Sequence, residues 1–494
     1  MYKKNLHQFW QTIIANKEII LIVLLATVLR TWNLNTQMIF FGDAAHDVTV
    51  AMQSVQTGSI PLQGIASSVP RFHQGPLTIW MEMLVNFLFG SNLLFEGFFF
   101  ALLSILAVIF LYELLVIHAD KRTALISAFS LAVLPLAVAN GRTPYHTTPI
   151  PLFLGFYFFG LMQLWQKKKY GVFWAVLSFC LLFQFELAVT PLFLLIPYVC
   201  WRQKWKPIAN VKRTITQFLA ALVLGLLPQI IYDLTHSFAQ MGGFAVWTAY
   251  RIVAFFGYKQ VHAFSWQHFV PVITSYQTYL MRTWGGENRF LFLICLLVLL
   301  VGCGAITWRL LKHKHTPIII ELVLFATIIQ TLAYVVHGSP SEAYFPPFFI
   351  LTATIVGYAL NLFSHYQKIP HSFYLVSLGL FIFATYNVAI IWQHHFFVDA
   401  QYQFNYGYGI GEQRQIVNLI ARETKGKYRL RTLQAEGKFE NYFANLRLLL
   451  AQKRLTEDQQ NGQTVYIEPK STDFPKIVSY TRASFPSVDV YFIN

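Results

Sequence analysis

Runs of mostly apolar residues recur along the first four-fifths of the chain, at residues 18–36, 92–117, 123–140, 147–166, 171–186, 187–201, 215–233, 289–310, 317–336, 344–363 and 372–392. A helix needs about 20 such residues to cross the hydrocarbon of a bilayer, so the pattern predicts eleven transmembrane helices. The fifth and sixth runs are short and separated only by Gln184-Phe185-Glu186. Two polar-interrupted segments, 37–91 and 234–288, are too long to be tight connections and form loops. Beyond residue 395 the pattern shifts: an amphipathic stretch from Gly411 to Thr424, a strand-like Tyr428 to Leu433, a helical Glu440 to Gln452, then strand-like Val465-Tyr466-Ile467 and Val488 to Ile493. The expected organisation is therefore an all-α polytopic membrane domain over 1–395 and a small α/β domain over 396–494.

Composition agrees. Of the 494 residues, 55% are apolar and only 12% charged, whereas soluble domains carry about 25% charged residues. A soluble enzyme is excluded, and so is a disordered chain, which needs low hydrophobicity and high charge. The net charge of +15 is resolved by its placement. Seventeen of the 37 basic residues fall on six alternate segments, including Lys3, Lys4, Lys17, the run Lys167-Lys168-Lys169, Lys206 and Lys368. Lys and Arg near span ends stay in the cytoplasm. The N-terminus is expected inside the cell membrane, and the 37–91 loop, the 234–288 loop and the C-terminal domain outside it. The basic surplus marks orientation, and nucleic acid is not an expected partner. The run after Lys17 continues into Arg30-Thr31-Trp32-Asn33 without a small-x-small site, so it is read as a span and not as a cleaved signal. The four cysteines lie in apolar runs and suggest neither a metal site nor a disulfide framework.

Acids are scarce in the membrane part: twelve precede residue 396. Seven of them, Asp43, Asp47, Glu82, Glu186, Asp233, Glu287 and Glu342, fall at or beyond the outer ends of spans. Ionisable groups there are costly and usually face a cavity or a partner, so one polar site on the outer face is the economical reading. Asp43 and Asp47 are four apart and would share a helix face. Asp43 could instead serve as a helix cap, which leaves Asp47 unexplained.

Several motifs occur in order: Leu29-Arg30-Thr31-Trp32-Asn33-Leu34, Gly42-Asp43-Ala44-Ala45-His46-Asp47, Gly58-Ser59-Ile60-Pro61-Leu62 and His73-Gln74-Gly75-Pro76-Leu77. They continue with Arg142-Thr143-Pro144-Tyr145-His146-Thr147-Thr148-Pro149, Gln184-Phe185-Glu186, Asp233-Leu234-Thr235-His236 and Glu342-Ala343-Tyr344-Phe345-Pro346-Pro347. Together they resemble membrane glycosyltransferases of the GT-C superfamily, nearest the bacterial branch related to protein O-mannosyltransferases and lipid A aminoarabinose transferase. The resemblance implies transfer of a hexosyl or pentosyl unit from a polyprenyl-phosphate donor to an unidentified glycan, lipid or protein acceptor on the extracytoplasmic face. It assigns the general base to Asp43. The usual Asp-Glu pair is absent, because Ala44 follows Asp43, and Asp47 supplies the second catalytic carboxylate. The resemblance requires no cofactor; some members hold a divalent metal on external acids, for which Asp43, Asp47 and Asp233 are available.

The chemistry needs a carboxylate within about 3 Å of the acceptor hydroxyl and donors over the departing phosphate. Arg142, His146, Arg71 and Arg289 are the candidates for binding that phosphate, with Arg142 first because it stands alone in a very short loop. An arginine snorkelling to headgroups is the alternative there. His73, Glu186, Asp233, His236 and Tyr344 are expected to line the substrate site. His394-His395 and Lys312-His313-Lys314-His315 lack an acid or Cys at ligand spacing. A flippase or transporter of a lipid-linked saccharide, or a polysaccharide polymerase or ligase, remains the alternative function.

Overall fold

The computed structural model describes residues 16–67, 69, 71–204, 211–257, 265–286, 288–338, 341–365, 371–393, 409–424, 426–433, 440–469 and 480–493. Lys3, Lys4, Lys206, Glu287, Lys368, His394 and His395 lie outside these residues.

Each of the eleven apolar runs is helical. In chain order they are α1 (Lys17–Thr31), α5 (Leu93–His118), α6 with α7 (Lys121–Val133 and Pro135–Gly141), α8 (Ile150–Trp165) and α9 (Gly171–Phe183). A 3-10 turn (Leu187–Leu194) with α10 (Leu195–Arg202) follows, then α11 with α12 (Val211–Gly225 and Leu227–Thr235), α15 (Arg289–Leu311), α16 (Ile318–His337), α17 (Pro347–Ser364) and α18 (Ser372–Gln393). Five of these are long and apolar enough to cross a membrane, and the bent pairs α6–α7 and α11–α12 would raise the number to seven. The eleven expected spans therefore include several short helices that do not meet that criterion alone. Leu21, Leu24 and Val28 on α1, Leu293, Leu297, Leu300 and Val301 on α15, and Leu375, Leu378, Phe381 and Ile382 on α18 are exposed. Apolar surface on this scale is what a lipid-facing belt presents, and the chain is a multi-pass membrane protein.

The irregularities have local causes. Pro135 and Pro228 lack the N–H that would continue the preceding helix, and the chain bends there by 67° and 76°. Pro191 sits inside the 3-10 turn that opens the sixth run. Asp120 caps α6, accepting from Thr123 N at 2.9 Å, and takes a further bond from Asn361 Nδ2 on α17 at 3.0 Å, which fixes the two helices together.

The two long loops are also largely helical. The first contains α2 (Leu34–Gln37), α3 (Gly42–Thr57) and α4 (Leu77–Phe89), and the second α13 (Ala239–Phe255) and α14 (Trp266–Gly285). Gly58 ends α3 in the left-handed region at φ 71°, which a residue without a Cβ adopts freely. The C-terminal part contains α19 (Ile410–Glu423), β1 (Lys427–Arg431), α20 (Glu440–Gln452), β2 (Thr456–Glu457), β3 (Gln463–Pro469), β4 (Tyr480–Ser484) and β5 (Val488–Ile493). The strands form one sheet in the order β2-β1-β3-β5-β4. β1 runs parallel to β2 and β3, while β5 is antiparallel to β3 and β4. The sheet is where the sequence placed strands, with β2 and the edge strand β4 added.

Candidate active site

After α1 the chain is extended at Met38 and Phe41 and then starts α3 at Gly42. Asp43 thus falls in the first turn, where the helix N-terminus favours negative charge, and Asp47 follows one turn later. Their surroundings differ. Asp43 lines a cavity of about 500 Å³ with Gly42, His46, Gln74, Tyr145, His146, Glu186 and Tyr344. Asp47 is buried and does not line it; His46 Nδ1 lies 3.1 Å from Asp47 Oδ1. That volume suits a small ligand site.

The second wall is the connection after α7. Thr148 Oγ1 donates to Asn140 O at 2.9 Å and Thr143 O at 2.7 Å, and Asn140 Nδ2 donates to Thr147 Oγ1 at 3.2 Å. These bonds close the loop on itself and present Tyr145 and His146, whose rings lie 4.0 Å apart. The third wall joins two motifs. Gly75 N donates to Gln184 O at 2.8 Å, and a Cβ on Gly75 would overlap the Gln184 carboxamide, which would have to move. Next to it Glu186 accepts from Gln74 Nε2 at 3.2 Å and Ala188 N at 3.2 Å. His146 Nε2 stands 3.6 Å from Glu186 Oε2. The 3-10 turn Glu342–Tyr344 gives the fourth wall, and Ala444 of α20 a fifth.

Burial pushes the Asp43 carboxyl above its ordinary range, partly offset by His146. The hydrogen bond to Asp47 holds the His46 imidazole above its usual value, while burial lowers His73. The cavity thus contains one carboxylate that is readily protonated and one imidazole that readily keeps its proton, the pairing an acid–base site uses.

Of the residues singled out from sequence, Asp43, His146, Glu186 and Tyr344 meet at this cavity. The other seven do not line it among the described residues. Asp47 touches it through His46. His73 pairs its backbone with Ala66, and His73 N donates to Gln240 Oε1 at 2.9 Å. Asp233 caps α13, accepting from Gln240 N and Met241 N, each at 2.9 Å. His236 is exposed and stacks on Tyr232 at 3.9 Å. Arg142 is buried, with Nη1 donating to Leu29 O at 3.0 Å and Nη2 to Trp32 O at 2.9 Å, so it closes the end of α1. Arg71 lies exposed in the turn before His73, and Arg289 is exposed at the start of α15. Among the described residues no group of three or more His, Cys, Asp or Glu side chains is arranged to hold a metal, and the option of Asp43, Asp47 and Asp233 as joint ligands is not realised. The sequence reading did not single out Gln74 or Ala444 as lining residues, and it did not give His46 or Tyr145 a role.

A part-buried ion pair braces the fourth wall: Arg282 Nη1 on α14 donates to Oε2 of the buried Glu342 at 2.8 Å. Burial still pushes the Glu342 carboxyl up to about 7. Because the folded-state value exceeds the unfolded one, this group's contribution to stability is complete below about pH 4.5 and is lost as pH rises through about 7. In Arg282→Gln the carboxyl should rise further, so thermal melting in detergent should keep falling above about pH 7, where wild type levels off. Parallel melting-versus-pH curves would show that the arginine does not hold the charge.

Comparison with known proteins agrees with this architecture. A family model described as dolichyl-phosphate-mannose-protein mannosyltransferase matches residues 73–232, the stretch that supplies Gln74, His146 and Glu186. The crystal structure of ArnT from Cupriavidus metallidurans bound to undecaprenyl phosphate aligns over 97% of this chain and 98% of that one, with a TM-score of 0.57 at 12% identity. The chain carries the GT-C fold. The GT-C likeness carried by the motifs is thereby borne out. The archaeal oligosaccharyltransferase AglB from Archaeoglobus fulgidus, in complex with an inhibitory peptide and a dolichol-phosphate, aligns over 91% of this chain and 64% of that one, with a TM-score of 0.48 at 12% identity. An uncharacterized protein of Aquifex aeolicus (strain VF5) is 25% identical over 162 residues, which are 33% of this chain and 32% of that protein. The match to this curated relative therefore spans about a third of the relative's length. The cavity lies where the chain brings together the loops after α1, α7, α9 and α16.

Proposed function

We propose that this chain is an integral membrane glycosyltransferase that moves a sugar from a polyprenyl-phosphate donor to an acceptor on the extracytoplasmic face. The observation that carries the reading is the cavity that holds Asp43, His46, His146 and Glu186 together in a GT-C fold. Asp43 takes the proton of the acceptor hydroxyl as that oxygen bonds to the anomeric carbon. The bond from the anomeric carbon to the phosphate oxygen breaks, and its electron pair leaves on the lipid phosphate. His46, whose protonated form Asp47 favours, and His146 supply N–H donors to the charge growing there. Glu186 orients His146, and Tyr344 offers an aromatic face to a sugar ring.

Purified protein offered a panel of polyprenyl-phosphate sugars should release free polyprenyl phosphate from one of them, and only when acceptor is present. A flippase would move the lipid without releasing it, and a polymerase or ligase would leave every lipid monophosphate sugar intact; either outcome rejects the proposal. The proposed orientation places the C-terminal sheet outside the cell. A phosphatase reporter fused after Asn494 should therefore be active, and a cytoplasmic reading would break the eleven-span topology.

A further inference from the structure

The Asp43 helix is approached by a short extended segment that is held by the C-terminal part of the chain, some 370 residues away in sequence. Ile39 pairs with Gly409 as an isolated bridge, and Ile410 N donates to Met38 O at 2.9 Å. The Phe40 carbonyl then receives two side-chain donors, Gln413 Nε2 at 2.6 Å from α19 and Asn445 Nδ2 at 3.2 Å from α20. Asn445 Nδ2 also donates to Gln413 Oε1 at 2.7 Å, so the two amides form one network. Both side chains are fully buried. Ala444, next to Asn445, faces the cavity itself.

We propose that Gln413 and Asn445 are positioning residues for Asp43, and that the C-terminal sheet with its two helices is an integral part of the active site. The Phe40 carbonyl is three residues before Asp43, and Phe41 is the residue from which α3 starts. Two amide donors on one carbonyl leave that backbone group a single orientation, and the orientation sets where α3 begins. A buried carbonyl left without its donors would turn to find others. Turning it rotates the first turn of α3, on which Asp43 stands, while the lipid-facing helices stay in place. A misplacement of about 1 Å at the reacting groups can reduce turnover by about a hundredfold. This inference rests on the glycosyltransferase reading of the cavity, and its test separates the two.

The test compares Gln413→Ala, Asn445→Ala, the double variant and Asp43→Asn, each as full-length purified protein. Turnover, the donor KM, binding of undecaprenyl phosphate and the thermal midpoint are measured together. The single clamp variants should lose about tenfold to a hundredfold in kcat. Their donor KM and lipid binding should stay within about twofold of wild type, as expected for an interaction made only in the transition state. The double variant should be no worse than the poorer single one, because the amides act as a unit. Asn445→Gln, which keeps the donor, should recover activity in part. Wild-type kcat in both single variants overturns the proposal, as does a loss of lipid binding and thermal stability in step with kcat, which would mark a merely structural role. If Asp43→Asn is itself active, it is the catalytic reading of the cavity that fails.

Discussion

Asp43→Asn is expected to lower sugar transfer by on the order of 10²–10⁴-fold, the range over which a positioned base contributes, while undecaprenyl-phosphate binding stays near wild type. Asparagine keeps the size of the side chain and removes its negative charge together with its capacity to take a proton. The pH dependence gives a second reading of the same variant set. In the proposed reaction Asp43 acts ionised, and burial raises its carboxyl, so the wild-type rate should fall as pH drops through that raised value. In the proposed reaction His46 acts protonated, and the hydrogen bond to Asp47 raises its imidazole, so the rate should fall again as pH rises through the raised imidazole value. Asp47→Asn removes the first cause of that elevation, and its alkaline limb should move to lower pH with a smaller loss at the optimum. Equal and complete losses in both Asp variants would place the two carboxylates in one catalytic unit and remove the separate roles. Full activity in Asp43→Asn would leave the cavity without its base.

The parts of this site that were legible in the sequence are those set by local chemistry. Each apolar run became a helix because a bilayer permits little else, and Gly42-Asp43 announced the start of α3. The breaks at Pro135, Pro191 and Pro228 were not read from the sequence, which took 123–140, 187–201 and 215–233 as unbroken spans. The order of the motifs was enough to bring Asp43, His146, Glu186 and Tyr344 to one cavity. Partners far apart in the chain were not legible. A lone basic residue in a short loop is equally suited to bind a phosphate or to close a helix end, and only the fold shows that Arg142 reaches the carbonyls of Leu29 and Trp32. Asp233 reads as a site acid for the same reason, although its carboxylate is used in capping α13. Gln413, Ala444 and Asn445 gave no signal at all, being common residue types in a soluble-looking tail, and their roles exist only once α19 and α20 are docked on residues 38–41.

The second large effect is expected at Arg30, inside the bundle and away from the cavity. The break between α6 and α7 puts Pro135 four residues after Leu131, where its missing N–H leaves the Leu131 carbonyl without a helical donor. In a membrane that group has no water to turn to. Arg30 is fully buried and supplies the donors from α1: Nη2 to Leu131 O at 3.2 Å, Nη1 to Ala132 O at 2.9 Å and Nε to Ser104 Oγ of α5 at 2.8 Å. One planar guanidinium thus joins three helices at the point where one of them bends. Arg30→Leu keeps the apolar stem and strands two buried carbonyls, each bonded until then to a charged donor. The expected cost is on the order of 3 kcal/mol or more, seen as a large fall in the detergent melting temperature and in the amount recovered from the membrane. Arg30→Lys should rescue little, because an ammonium on a flexible stem does not reproduce the fixed fork. Ser104→Ala, which removes only a neutral partner, should cost about 1 kcal/mol. If Arg30→Lys instead melts with wild type, a point charge is enough at the bend, and the fork geometry is not what holds α1, α5 and α6 together.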